Sequence, residues 1–160
     1  MKHCIRLLSV MFAMMLCSIT AFAAPISITA GSVIPSAQAK TVLLYAGTTI
    51  TAGQAVYSDS AGVLQLTDSD ASATAAQCIG IALNGGSTGQ PIVVCTEDMG
   101  GLTIGGTVAA GDTIYTSPTA GGVTKTQADV VAGNYTIILG VAFSTTKIYL
   151  QILRSGVTHA

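Results

Sequence analysis

Short apolar runs separated by glycine-containing turns recur along the chain after residue 40. The runs consist mainly of Val, Ile, Leu and Thr, the residue types that favour β-strands, and several alternate with polar positions. No stretch beyond residue 23 keeps a helical period over twelve residues. The pattern therefore predicts an all-β fold, a small barrel or sandwich.

The strand–turn pattern occurs twice. The sequence around Gly53 recurs around Gly111, 58 positions later, and Gly80 is followed 60 positions later by Gly140. Landmarks that keep their order and nearly their spacing indicate an internal duplication. We therefore predict two similar β units, residues 41–99 and residues 100–160, packed as one compact domain or as two small lobes.

The first 23 residues differ from the rest. A positively charged start precedes an apolar run at residues 7–19, and the small-x-small sequence of residues 21–23 follows. This pattern predicts a helical signal peptide over residues 1–23, cleaved between Ala23 and Ala24. An uncleaved anchor or a buried helix is the alternative, although the apolar run is short for a membrane span.

Residues 24–40 are predicted to form an extended N-terminal arm. Ile26 and Ile28 alternate with polar neighbours, but Pro25 and Pro35 interrupt any ladder that needs every N–H group. Two interpretations stay open: a frayed terminus, or an arm that becomes ordered on a partner.

Composition limits the classes of function. Half of the 160 residues are hydrophobic, only 8% are charged, Trp is absent, and the net charge is −1. Loss of the leader would remove two of the six basic residues, leaving four against seven acidic ones, a net charge of −3. Because no Lys or Arg cluster is present, the sequence argues against a nucleic-acid surface. It also indicates no stable membrane association once the leader is cleaved.

Cleavage would leave two cysteines, Cys78 and Cys95, the count expected for one disulfide in an exported chain. If residues 78–83 and 90–96 form a hairpin in which Leu83 faces Gln90, Cys78 lies opposite Cys95. Facing residues of antiparallel strands are close enough for a disulfide. The alternative is two buried free thiols.

The second unit contains a matching hairpin, residues 137–143 and 147–153. The same pairing rule places Ile138 opposite Ile152. The cysteine pair would then occupy the place of an apolar cross-strand pair.

Candidate chemistry is sparse. The chain beyond the leader has one histidine, His159, so no His-based general base or multi-histidine metal site is predicted. Asp68, Asp70, Glu97 and Asp98 could offer oxygens to calcium, but no complete ligand loop is present. We therefore predict no catalytic, cofactor or metal site, and no enzyme. Tyr57 and Tyr115 hold equivalent places in the two units and are expected to cap the core rather than stack on a ligand.

Several blocks of the second unit resemble the repeated pattern of bacteriophage capsid decoration (cement) and head-fibre proteins, and the first unit resembles it more loosely. These blocks are residues 110–115, 119–124, 139–144 and 147–150, with residues 52–57 and 79–82 in the first unit. The resemblance spans about residues 47–154. It implies a β-rich homo-oligomer, with a trimer as the working assumption, that binds the major capsid protein lattice on the virion surface without catalysis.

The leader favours an alternative class of protein. Virion components assemble in the host cytoplasm and normally carry no export signal. A signal peptide and a cysteine pair are instead typical of proteins exported to the periplasm or the extracellular space. The alternative is therefore a bacterial surface or matrix β protein with an adhesive or scaffolding role.

Overall fold

The structure, a computed structural model, describes residues 24–126 and 132–158. The predicted signal peptide and His159 lie outside these residues. Within the described part, the chain forms ten β-strands and one 3₁₀ turn at Ala30–Ser32, and no α-helix. The all-β prediction is confirmed.

The strands follow one another in short steps along the chain. They are β1 (Val33–Ile34), β2 (Lys40–Tyr45), β3 (Ala55–Ser58), β4 (Leu64–Leu66), β5 (Gly80–Ala82), β6 (Pro91–Ile104), β7 (Thr113–Thr116), β8 (Val123–Thr124), β9 (Tyr135–Ala142) and β10 (Lys147–Thr158).

All ten strands belong to one antiparallel sheet that curls into a half-barrel. Neighbouring strands follow the order β4-β3-β5-β6-β10-β9-β7-β8, and β1 and β2 pair additionally with β6. From either end towards the centre, the order thus reads β4-β3-β5-β6 and β8-β7-β9-β10. In each half, the first strand along the chain (β3 or β7) lies between the second (β4 or β8) and the third (β5 or β9), and the fourth (β6 or β10) follows the third. The two halves meet at the β6–β10 pair.

Strand β6 is the longest, with 14 residues, and it has four partners. Its first half pairs with β2 and β5, and its second half pairs with β10 and β1. The predicted unit boundary, between residues 99 and 100, falls inside this strand. Gly100 and Gly101 are therefore part of the sheet and do not form a linker between lobes.

The main core combines buried side chains of both predicted units, which argues for one body and not two lobes. It includes Ala55, Cys78, Ile81, Cys95, Leu102, Ile104, Ile114, Leu139, Ile148 and Leu150. A smaller cluster lies within the first unit and consists of Ala46, Ile50, Val56, Leu64, Ala82, Ile92 and Val94.

The turns that precede β3 and β7 make the same backbone hydrogen bonds. The Gly53 N–H donates to the Ala82 carbonyl at 2.7 Å, and the Gly111 N–H donates to the Ala142 carbonyl at 2.7 Å. Both glycines have a positive φ, 90° and 93°, which residues with a side chain rarely adopt. Each turn thus ties its strand to the end of β5 or β9.

A side chain closes each of these turns in the same way. The Thr51 N–H donates to Gln54 Oε1 at 2.7 Å, and the Ala109 N–H donates to Asp112 Oδ2 at 2.8 Å. An amide oxygen and a carboxylate oxygen can both accept this bond. The two turns therefore share a geometry although their residues differ.

The turn between β7 and β8 connects the two ends of the curled sheet. The Gly121 N–H donates to the Thr67 carbonyl at 2.7 Å, and the Ala55 N–H donates to the Gly121 carbonyl at 3.0 Å. Gly121 has φ 71°, and a Cβ there would lie 3.0 Å from Leu66 Cδ2. Close approach of the two ends therefore requires glycine at this position.

The N-terminal arm packs on its own chain. The Ile26 N–H donates to the Val123 carbonyl at 2.7 Å, and the Thr29 N–H donates to the Gly105 carbonyl at 2.8 Å. Ile26 and Ile28 lie against the main core. Residues 26–29 are thus held against the same chain by backbone hydrogen bonds and by apolar packing.

A buried carboxylate attaches the end of this arm to β6. Asp98 is fully buried and accepts four hydrogen bonds. The Ser36 N–H donates at 2.8 Å, the Ser36 hydroxyl donates as well, and the N–H groups of Gly100 and Gly101 donate at 3.1 Å each. A buried charge is tolerated when its oxygens are satisfied in this way.

The β9–β10 hairpin follows the predicted register only near its turn. Leu150 faces Gly140, as predicted, but a bulge in β10 then places Leu153, and not Ile152, opposite Ile138. A bulge inserts one extra residue in one strand, which shifts every later pair by one position. The predicted register is therefore wrong beyond Gly140.

Replacing the buried carboxylate tests its role. We expect Asp98→Ala to lower the free energy of unfolding by about 2 to 4 kcal/mol, because it leaves buried N–H groups without an acceptor. Asp98→Asn retains an oxygen and should lose less. Urea unfolding measures both, with Asp70→Ala at an exposed carboxylate as the control, expected within about 0.5 kcal/mol of the parent. Equal stabilities of Asp98→Ala and Asp70→Ala would contradict this role.

Candidate functional site

The acidic residues considered as calcium ligands do not gather in the structure. The described part of the chain contains no group of three or more His, Cys, Asp and Glu side chains that could hold a metal ion. Asp68 lies beside Asp70, where their hydrogen bond is the main cause that raises the pKa of the Asp70 carboxyl. The carboxylate of Asp98 already accepts hydrogen bonds from Ser36 of the arm and from Gly100 and Gly101 of β6.

The two cysteines lie in the main core but do not face each other. Cys95 pairs with Ile81, three positions from the predicted partner Cys78, and both cysteines are buried free thiols. The predicted register of the β5–β6 hairpin is therefore wrong, and the geometric argument for a disulfide fails with it.

The loop before β6 explains the register. The Val93 N–H donates to Asn84 Oδ1 at 2.7 Å, the Asn84 side-chain amide donates to the Pro91 carbonyl at 3.0 Å, and the Leu83 N–H donates to the Val93 carbonyl at 2.8 Å. Leu83 therefore pairs with Val93 and not with Gln90. The Asn84 side chain lengthens the loop by occupying backbone groups that the shorter loop would have paired.

Burial disfavours the thiolate form of both cysteines. It raises the pKa of the Cys78 thiol to about 11. Burial, aided by the Asp98 carboxylate, also raises the pKa of the Cys95 thiol to about 11. Because the thiolate is the nucleophile and the metal ligand, these residues are poor candidates for either role near neutral pH.

Tyr57 and Tyr115 occupy matching places in β3 and β7. Tyr57 faces Gln65 of β4, and Tyr115 faces Thr124 of β8. Both side chains are half-buried. They lie in different strands of the curled sheet, each beside the short strand that follows it.

Four large apolar side chains are exposed on the central strands, and we call them the outer patch: Met99 of β6, Val141 of β9, Phe143 directly after β9 and Tyr149 of β10. Val141 faces Tyr149 across the β9–β10 pair, while the neighbours of Tyr149 in β10 point into the core. The rings of Phe143 and Tyr149 stack with centroids 4.2 Å apart and an interplanar angle of 16°. The patch therefore presents ordered aromatic rings on paired strands.

A glycine allows the aromatic stack to lie close to the sheet. A Cβ at Gly101, where φ is 105°, would lie 2.6 Å from the Phe143 ring. Any larger residue would displace Phe143 from its position over β6.

The second exposed apolar surface is β2, which we call the edge strand. Its side chains are exposed at five of six positions, and Leu43 and Tyr45 are 61% and 58% exposed. Its first residue, Lys40, forms an ion pair with Glu97 at 2.9 Å.

Sequence reasoning identified both segments as strands but not as surfaces. The apolar content of residues 40–45 and 139–149 is equally compatible with a core position. Two contacts depend on how the strands pair and therefore cannot be read from the sequence: the ion pair between Lys40 and Glu97, and the position of Gly101 beneath Phe143. The predicted cleavage position falls at the edge of the described region: Ala24 is exposed, and Ala23 lies outside it.

No family model matches the chain, and no curated protein sequence matches it. Within the described residues, no helix has the length and apolar character needed to cross a membrane.

The state of the thiols can be measured directly. We use a full chain carrying Cys4→Ser and Cys17→Ser, so that Cys78 and Cys95 are the cysteines that remain. At pH 8, we expect reaction with a thiol reagent to be at least about 100-fold slower in the folded protein than in urea, because raised pKa values leave little thiolate. Two thiols per chain should then react in urea. Fast labelling of the folded protein would contradict the burial, and no reaction in urea would restore the disulfide prediction.

Proposed function

We propose that this protein is a non-catalytic structural protein that binds and stabilises the outer surface of a bacteriophage capsid. The observation that carries the proposal is the outer patch, because exposed apolar side chains that include a stacked aromatic pair are typical of a site where another protein binds. The resemblance of the second unit to capsid decoration and head-fibre proteins supplies the class of partner, the major capsid protein lattice.

The geometry of the outer patch suits repeated weak contacts. Aromatic residues and Met are enriched in protein interfaces, and aromatic anchors held in place before binding lose little conformational entropy. Phe143 and Tyr149 are held by their mutual stacking. Many copies on a symmetric lattice would turn modest contacts into strong retention if each protein engages several sites.

We also propose that residues 41–99 and 100–160 are copies of one β unit. Matching order of strand connection, the same hydrogen bonds in the turns at Gly53 and Gly111, and landmark spacings of 58 to 60 positions support this duplication. Gly80 of β5 and Gly140 of β9 also correspond, because each lies where the neighbouring strand comes too close for a side chain. A Cβ at Gly80 or Gly140 would lie within 2.3 Å of a carbonyl oxygen of the neighbouring strand.

A second candidate function rests on the first 23 residues. A cleaved leader would favour an exported bacterial surface or matrix protein, with the same outer patch serving adhesion or scaffolding. Mass spectrometry of the protein purified from its native source separates the two. A chain beginning at Met1 supports the virion protein, and a chain beginning at Ala24 supports the exported one.

Binding to shells tests the capsid proposal. Empty shells of the major capsid protein encoded near this gene should retain the protein in co-sedimentation. We expect Tyr149→Lys to weaken retention at least about 10-fold, because it places a charge in the contact and removes an aromatic anchor.

The matched control is Val157→Lys, which adds the same charge at an exposed apolar residue outside the outer patch. It should bind shells like the parent protein. If the parent protein does not sediment with shells, the capsid role is wrong. If both variants bind equally well, the outer patch is not the contact.

A further inference from the structure

The edge strand has an internal counterpart in the second unit, given the duplication proposed above. Val42 of β2 faces Val94, and Leu102, 60 positions after Val42, faces Ile148. The end of β6 thus holds the place beside β10 that β2 holds beside the first half of β6.

The two counterparts differ at their outer edges. Thr103 pairs with Lys147 on one side and with Ile34 on the other, so β1 covers the outer edge of β6. Leu43 corresponds to Thr103, and among the described strands β2 pairs with β6 alone. The first unit therefore leaves open an edge whose counterpart in the second unit is covered by β1 of the N-terminal arm.

The open edge lacks the usual protection against strand pairing. Edge strands commonly carry unpaired charges or proline, which oppose association with another strand. Lys40, the charged residue of β2, is neutralised by Glu97 of the same chain. The remaining side chains are Thr, Val, Leu and Tyr, which favour strand pairing.

We propose that the edge strand is a self-association site, at which β2 of one copy pairs antiparallel with β2 of a second copy about a two-fold axis. The strand can pair with itself without placing like charges opposite each other, because Lys40 at its first position is the charged residue of β2. If the axis passes between Val42 and Leu43, Lys40 lies opposite Tyr45 of the second copy, so the two ammonium groups are far apart and each is close to an aromatic ring. An extended apolar segment of another protein would not in general place an aromatic ring opposite Lys40 and a cation opposite Tyr45.

The expected interface is small. A pair of six-residue strands buries less than the roughly 1,200 Å² of a typical stable complex, so the dimer should form at micromolar or higher concentration. On a lattice, such an interface would connect neighbouring bound copies without competing with the outer patch, which lies on other residues.

Sedimentation velocity of the full chain, from about 1 to 300 μM and without shells, tests the proposal. We expect a monomer–dimer equilibrium. Leu43→Lys should raise the dissociation constant at least about 10-fold, because it brings two unpaired charges together near the axis. Leu153→Lys is the matched control: Leu153 is 58% exposed, similar to Leu43, and lies in β10 away from the edge strand. It should leave the equilibrium unchanged.

Hydrogen exchange at the two ends of the concentration range locates the interface. Backbone amides of β2 should gain protection in the dimer, and those of residues 153–158 should not. A monomer throughout the range, a dimer that Leu43→Lys does not weaken, or protection elsewhere would each overturn the proposal. Because no shell is present, a failure here is separate from a failure of capsid binding.

Discussion

The buried carboxylate of Asp98 is the constraint on which the rest of the structure depends. It lies in β6 at the point where the partners of this strand change from β2 and β5 to β1 and β10. At this change it accepts hydrogen bonds from the N–H groups of Ser36, Gly100 and Gly101. A carboxylate in this place would otherwise be costly to bury. Strand β6 crosses the predicted boundary between residues 99 and 100, and buried side chains from both sides of that boundary share the main core.

The fold class and most strand positions could be predicted from the sequence, because β-branched runs and glycine turns are local signals. The registers could not. Asn84 lengthens one hairpin loop by bonding to Val93 and Pro91, and a bulge shifts the β9–β10 pair beyond Gly140. Both depend on hydrogen bonds between residues that the hydrophobic pattern treats as equivalent. A shift of three positions in the β5–β6 pair is enough to place Ile81, and not Cys78, opposite Cys95.

The candidate surfaces were harder to predict than the fold. A run such as that of β2 has the composition of a buried strand, and only the pairing of the whole sheet determines which edge stays open. Asp98 is a candidate calcium ligand by sequence alone, because the sequence shows its charge and not the groups that donate hydrogen bonds to it. Conversely, the glycines at positions 53, 80, 111 and 140 are readily found in the sequence, since positive φ or close backbone contact favours one residue type at such positions.

The central claim is that β6 joins the two units into one cooperative body. Native-state hydrogen exchange in increasing denaturant measures this most directly, through the opening free energies of amides in β5 and β9. The account predicts that the slowest amides of both strands exchange with the same free energy and the same dependence on denaturant, as in a single global unfolding. Amides of one unit that exchange through a separate opening of lower free energy, while the other unit stays protected, would contradict it.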